Sequence, residues 1–234
     1  WLITIYALFY AAFIPIIGKF ADRYGRKKLY LICMALFVIG SAIFWISGWS
    51  GCASSSNFEI YYFVLLFGSV IQAIGSCGVV TLATTEIGVS APADKQGMYL
   101  GLIAACSGIS SVIGSGLGSV IMNAIGPENW ALLFFVCVPI GVVCTVAGYF
   151  VLQESKTHNT SKIDYLGSIS VIGGVFFLLL GIQFLSDETV LNSITESNNI
   201  WLLIVIFGVA IICVVVVILA ERRAADPIFD LIFF

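Results

Sequence analysis

The chain has 234 residues, of which 60% are hydrophobic and only 10% are charged. Because a soluble domain carries roughly a quarter charged residues, this composition excludes an ordinary soluble globule and favours a membrane protein. The formal net charge of −3 also argues against a nucleic-acid partner.

Long apolar stretches follow one another along the whole chain. They cover residues 1–17, 29–47, 60–83, 98–122, 130–152, 165–185 and 200–220, and another begins near residue 228. A helix needs about 20 apolar residues to cross a bilayer core, and these stretches lack the period-two alternation of membrane strands. The sequence therefore predicts an all-α polytopic membrane protein. Because both ends of the chain lie in apolar stretches, we expect it to be a piece of a longer protein.

Basic residues occur only in alternate connections between these spans. All ten Lys and Arg residues lie in the connections 18–28, 84–97, 153–164 and 221–227, and none lies in 48–59, 123–129 or 186–199. Cytoplasmic loops of membrane proteins carry the Lys/Arg excess. We therefore expect the first set of connections to be cytoplasmic, in a multi-pass protein of the plasma membrane.

The first connection is the densest polar segment of the chain. It reads Gly18-Lys19-Phe20-Ala21-Asp22-Arg23-Tyr24-Gly25-Arg26-Lys27-Lys28. Gly25 permits a tight turn between two helix ends, and Gly18 leaves room for a neighbouring helix. Arg23 and Arg26 are suited to hold a carboxylate by paired hydrogen bonds, and Glu86 is a candidate partner at the end of the third span.

This G-x-x-x-D-R-x-G-R-K-K pattern resembles the loop between helices 2 and 3 of the major facilitator superfamily of secondary transporters. In that family the loop acid caps a helix of a second bundle. The resemblance implies a conformational latch that stabilises the outward-open state, formed here by Gly18, Asp22, Arg23, Gly25 and Arg26. The alternative is that these charges only fix the membrane topology.

Small residues concentrate in the fourth span, which the same register makes family helix 5. Antiporter branches carry G-x8-G-x3-G-P-x2-G-G in that helix, and the corresponding residues include Gly101, Ser110, Gly114, Ser115 and Gly118. Such a face lets another helix approach closely. The partial match favours antiporters over sugar-type transporters, with ordinary helix packing as the alternative.

Candidate residues for a substrate path are polar or aromatic, because no Asp, Glu, Lys, Arg or His lies in the middle of a span. Tyr6 and Tyr10 lie one helical turn apart. Gln72 matches the family helix 4 pattern R-x-x-Q-G-x-G, whereas Ser69 replaces the Arg that the family associates with proton coupling. The alternative for Gln72 is a hydrogen bond that only packs two helices together.

The resemblance implies a domain arrangement for the whole chain. Residues 1–152 form the N-terminal helical bundle without helix 1, 153–164 a cytoplasmic loop, 165–220 an inserted pair of helices 7 and 8, and 221–234 the lead into helix 9 of a second bundle. The segments Asp164–Gly167 and Asp226–Ile228 resemble the starts of helices 7 and 9 in the fourteen-helix drug:proton antiporters.

The expected function is secondary active export of drugs, with a small-molecule substrate, the lipid bilayer as surroundings and protons as the candidate coupling ion. One alternative is a transporter of the same fold for a metabolite, a siderophore or a lipid-like molecule. A second is a non-transporting membrane scaffold or sensor. We expect no enzyme, metal or cofactor, because the spans contain neither a catalytic pair nor a metal-ligand set.

Overall fold

The computed structural model of the chain describes residues 2–49, 58–126, 130–152, 165–186 and 200–221. These residues are almost entirely helical and contain no strand, which confirms the all-α class. The helices are α1 (Leu2–Tyr24), α2 (Arg26–Trp49), α3 (Phe58–Ser90), α4 (Gln96–Ile125), α5 (Ala131–Val151), α6 (Tyr165–Ser186) and α7 (Ile200–Glu221). The predicted loop 153–164 and nearly all of the lead segment 221–234 lie outside the described residues.

The helices have the dimensions of membrane spans. The first six are long and apolar enough to cross a bilayer, and α7 has a shorter apolar part at Leu203–Val217. Helix α3 has 33 residues, which at about 1.5 Å per residue exceeds the roughly 30 Å of a hydrocarbon core. The last turns of α3 therefore project beyond the predicted span 60–83. The chain is an integral, multi-pass membrane protein.

Helices α1, α2, α3 and α5 form one bundle. Helix α2 packs against α3 and α5, α1 packs against α3, and the pair α6 and α7 joins the bundle through α1. A buried apolar cluster lies between α1, α2 and α3, made of Ile17, Ala21, Leu29, Cys33, Cys77 and Leu82. It lies directly next to the turn between α1 and α2, so it fixes the helix ends that carry the polar loop.

Small residues bring α2 and α3 into close contact. A Cβ atom on Gly75 would lie 2.6 Å from the Cys33 carbonyl oxygen, so no larger residue fits there. Ser69, Ala73 and Cys77 recur every four residues on the same helix and are all buried. Small residues at this spacing let membrane helices approach closely. Such a face was predicted for α4 only, although the four-residue spacing of the small residues on α3 is visible in the sequence.

Helix α4 has a different environment. None of residues 96–124 is buried, and a Cβ atom on Gly101, Gly114 or Gly118 would meet nothing within 4 Å. Ser110 is exposed, and the Ser115 hydroxyl donates to the Val112 carbonyl of its own helix at 3.1 Å. Within the described ranges no helix packs on the predicted small-residue face, and its role stays a prediction.

Candidate functional site

The polar loop is reduced to a single residue between two helices. Helix α1 ends at Tyr24 and α2 begins at Arg26, and Gly25 between them has φ of 90°. Its N–H donates to the Ala21 carbonyl at 3.2 Å, and its own carbonyl accepts the Leu29 N–H at 3.3 Å. A left-handed φ favours glycine because it has no Cβ. Gly25 therefore sets the angle at which Arg26 leaves the turn.

Arg26 joins α2 to α3 by an ion pair. Its Nη1 atom donates to Oε2 of Glu86 at 2.8 Å, whereas its Nη2 atom lies 3.9 Å from Oδ1 of Asp22. The Arg26 side chain is only 13% exposed, compared with 41% for Glu86 and 63% for Asp22. The close partner of this nearly buried cation is therefore Glu86, and the Asp22 carboxylate remains largely in solvent.

The Glu86 carboxylate is held from two sides. The Ser90 hydroxyl donates to its Oε1 atom one turn further along α3. Glu86 lies beyond the predicted span 60–83, and the hydrogen bonds from Ser90 and then from Arg26 hold the pKa of its carboxyl below its usual value. Glu86 is therefore charged at neutral pH and keeps the ion pair intact.

Part of the loop has no acceptor in the described structure. The Nε atom of Arg26 is buried and donates to no group in the described part of the chain. A buried donor left without an acceptor costs about 1–3 kcal/mol, so the position is suited to one more acceptor.

The structure also places Arg23 and Gly18, two other residues of the predicted latch. The Arg23 guanidinium lies 5.7 Å from the centre of the Tyr24 ring. A Cβ atom on Gly18 would meet nothing within 4 Å.

A cavity of about 310 Å³ opens between α1, α2, α3 and α5. It brings together three of the four residues predicted for a substrate path, Tyr6, Ser69 and Gln72. The other lining residues are Leu2, Ile3, Phe44, Trp130 and Phe134. Tyr10 stacks on Tyr6 with ring centres 6.1 Å apart, but it packs against the buried cluster instead of lining the cavity.

The polar side of this cavity is a hydrogen-bonded network. The Tyr6 hydroxyl lies 2.7 Å from the Ser76 hydroxyl, which donates to the Gln72 carbonyl. The Gln72 amide nitrogen donates to the Ser41 hydroxyl on α2 at 3.0 Å. Gln72 therefore makes the interhelical hydrogen bond that was its alternative role, and it also lines the cavity. Sequence reasoning missed Ser41 and Ser76, although Ser76 lies one turn after Gln72 on the same helix.

The opposite side of the cavity is aromatic. Phe44 and Phe134 stack with ring centres 4.5 Å apart, and Trp130 meets Phe134 edge to face at 6.0 Å. Ser69 is buried and donates to the Leu65 carbonyl of its own helix at 3.0 Å. None of the eight lining residues is charged. Such a wall is suited to apolar and aromatic groups, or to cations that interact with ring faces.

No cluster of three or more His, Cys, Asp or Glu residues suited to a metal ion occurs within residues 2–49, 58–126, 130–152, 165–186 and 200–221. The acidic and basic groups described above lie at the helix ends, and the cavity is lined by neutral side chains.

Comparison with known proteins gives one consistent result. Residues 1–224 match the family model of the Major Facilitator Superfamily. The uncharacterized MFS-type transporter YfiU of Bacillus subtilis (strain 168) is 32% identical over 97% of this chain and 41% of its own length. Multidrug resistance protein 3 of the same organism is 31% identical over 97% of this chain and 40% of its own length.

A fungal relative, the efflux pump dotC of Dothistroma septosporum, is 31% identical over 100% of this chain and 37% of its own length. The chain therefore spans about two fifths of the length of the curated relatives it matches. The family match, the helical membrane fold and the loop around Gly25 agree: the chain belongs to the Major Facilitator Superfamily.

Proposed function

We propose that the protein containing this chain is a secondary active exporter that moves drug-like, largely apolar small molecules by alternating access. The observation that carries this proposal is the uncharged, aromatic cavity that contains Tyr6, Ser69 and Gln72. Apolar walls with a few polar groups are typical of small-molecule sites. The names of Multidrug resistance protein 3 and the efflux pump dotC support the direction of transport.

The loop around Gly25 serves as the latch in this proposal. The Arg26–Glu86 ion pair holds the ends of α2 and α3 together. The Asp22 carboxylate is exposed and therefore available to a second bundle outside this chain. A carboxylate is favourable at the N-terminus of a helix, so Asp22 stabilises one state and is released when the bundles rock.

Protons are the coupling ion that we favour, although their carrier lies outside this chain. An intramembrane charge normally marks a proton path, and no Asp, Glu, His, Lys or Arg lies mid-span in these residues. Ser69, at the position of the family Arg, makes only a hydrogen bond to its own helix. We place the carrier carboxylate on a helix of the whole protein beyond residues 1–234.

The proposal includes a membrane orientation and an arrangement of the helices in bundles. The alternation of basic connections supports placing the Gly25 turn and the end of α3 on the cytoplasmic side, and the plasma membrane is the location that we propose. Residues 1–152 then supply most of the first bundle, and 165–220 supply an inserted helix pair. The contact between Phe9 on α1 and Phe176 on α6, with ring centres 5.4 Å apart, supports docking of that pair on the bundle.

A second candidate is a dedicated carrier of an uncharged metabolite or lipid-like molecule. The neutral lining of the cavity and the buried, internally bonded Ser69 favour it, because no charged side chain in this lining would form an ion pair with a substrate. It differs from the drug exporter in substrate range. A scaffold or sensor of the same fold would show no flux.

The test is energised efflux of a delocalised cationic dye and of an uncharged aromatic dye from cells that make the full-length protein. We expect export of at least one dye, and a protonophore should abolish it. Gln72→Ala should reduce export, whereas Gln183→Ala, which alters an exposed glutamine on α6, should not. Absence of flux from a well-inserted protein would contradict the exporter, and flux that resists the protonophore would contradict proton coupling.

A further inference from the structure

A side chain of α4 closes the corner between α3 and α4. The amide nitrogen Nε2 of Gln96 donates to the carbonyls of Gly88 at 3.0 Å and Ala91 at 3.2 Å. The N–H groups of Lys95 and Gln96 both donate to the Pro92 carbonyl, at 2.9 and 3.1 Å. The last carbonyls of a helix lack partners within that helix. The first residue of α4 therefore caps the C-terminus of α3.

The capped turn of α3 is the turn that carries the ion pair. Ser90, between the two carbonyls that Gln96 binds, donates its hydroxyl to Glu86, and Glu86 accepts from Arg26 at 2.8 Å. The ion pair and the Gln96 hydrogen bonds therefore meet on the last turns of α3. The backbone of residues 86–91 joins the two sets of contacts.

Helix α4 has little else to orient it among the described residues. None of residues 96–124 is buried, and the Gly101, Gly114 and Gly118 positions meet nothing within 4 Å. Within the described residues, the corner that Gln96 closes is therefore a contact that orients the start of α4. Loss of the two Gln96 side-chain hydrogen bonds would leave the corner held by the backbone bonds to the Pro92 carbonyl, and we expect the direction of α4 to vary more.

We propose that Gln96 is a positioning residue that couples the Arg26–Glu86 ion pair to the direction of α4. When the ion pair breaks, the last turn of α3 shifts, and Gln96 moves α4 with it. This inference rests on the proposed function, because it assigns the motion to the transport cycle. Gln96 belongs neither to the predicted latch nor to the predicted substrate path, so the inference gives a role to a further residue.

The test uses the full-length protein with spin labels introduced as unnatural amino acids at two exposed positions, Ile32 on α2 and Leu102 on α4. Gln96→Glu removes the donors at nearly constant size, whereas Gln96→Lys keeps a donor that can bind helix C-terminal carbonyls. Asp94→Asn is the matched control, an exposed residue of the same corner. The measurements are the interspin distance distribution and energised dye efflux at equal membrane levels.

We expect Gln96→Glu to broaden the distance distribution and to lower efflux about fivefold, as the loss of a hydrogen bond would. Gln96→Lys should restore both, and Asp94→Asn should change neither. Glu86→Gln should broaden the same distribution, and adding Gln96→Glu to it should broaden it no further, because the two residues act through one series of contacts.

Two results would overturn the inference: an unchanged distance distribution in Gln96→Glu, or broadening by Gln96→Glu and Glu86→Gln that adds fully in the double variant. A failure of the proposed function is distinguishable from these results. If the unaltered protein exports no dye, the exporter is contradicted, while the distance distributions still decide whether Gln96 orients α4.

Discussion

Arg26 and Glu86 are 60 residues apart in the chain, yet the guanidinium of one donates to the carboxylate of the other at 2.8 Å. The contact joins the first turn of α2 to the last turns of α3. The Arg26 side chain is nearly buried, and the Glu86 side chain is partly exposed. The position of the guanidinium is therefore set mainly by the surrounding protein.

Removing the Glu86 charge should destabilise the bundle. Glu86→Gln leaves the Arg26 guanidinium without its close carboxylate, and we expect the free energy of unfolding to fall by about 1 kcal/mol. The effect is no larger because Glu86 is partly exposed and solvent screens the ion pair. Thermal unfolding of the purified protein in detergent would measure the change. Glu59→Gln, at the other end of α3 and exposed, is the control; an equal decrease in that variant would contradict a specific ion pair.

Neutralising Asp22 should affect transport more than assembly. Its carboxylate is 63% exposed and 3.9 Å from Arg26, so it contributes little to the described bundle, and Asp22→Asn should insert at the normal level. Energised efflux should fall about tenfold or more if the carboxylate caps a helix of a second bundle, which corresponds to about 1.4 kcal/mol. Equal losses of insertion and efflux would rule out the latch.

Substitution of Gly75 should separate α2 from α3. In Gly75→Ala the new Cβ atom would meet the backbone of Phe37 and the carbonyl oxygen of Cys33, and a helix backbone cannot move aside cheaply. Overpacking of this kind costs roughly 1–3 kcal/mol, measurable as a lower apparent Tm. Gly116→Ala, with nothing within 4 Å, should be neutral or slightly stabilising because alanine favours helices.

The small-residue face of α4 should matter for transport and not for the stability of this bundle. Gly114→Leu and Gly118→Leu meet open space in the described structure, so expression and apparent Tm should be nearly unchanged. If the face packs on another part of the whole protein, efflux should fall severalfold because a bulky residue keeps the helices apart. Gly116→Leu, also in open space but on the opposite side of the helix from Gly114 and Gly118, serves as the control. Normal efflux in the Gly114 and Gly118 variants would contradict a packing role.

The class of protein and the approximate position of its helices could be predicted from the order of apolar and charged residues. Apolar stretches of about 20 residues have few alternatives to transmembrane helices, because a bilayer leaves no water for backbone groups. The turn at Gly25 was equally predictable, because a glycine lies in a short polar segment between two long apolar stretches. In the structure, α1 ends just before this glycine and α2 begins just after it. Both conclusions depend only on residues that are close together in the chain, so they can be predicted without knowledge of the packing.

Tertiary structure alone decided which residues meet. Gln72 was recognisable as a buried amide, but its partner Ser41 lies on another helix. Its place in an aromatic cavity depends on Phe44 of that same helix and on Phe134 of α5. The small residues of α3 were visible in the sequence, whereas only the packing showed that they, and not those of α4, contact a neighbour within the described residues. Helix rotation and partner choice depend on many weak contacts at once, so they emerge only from the assembled fold.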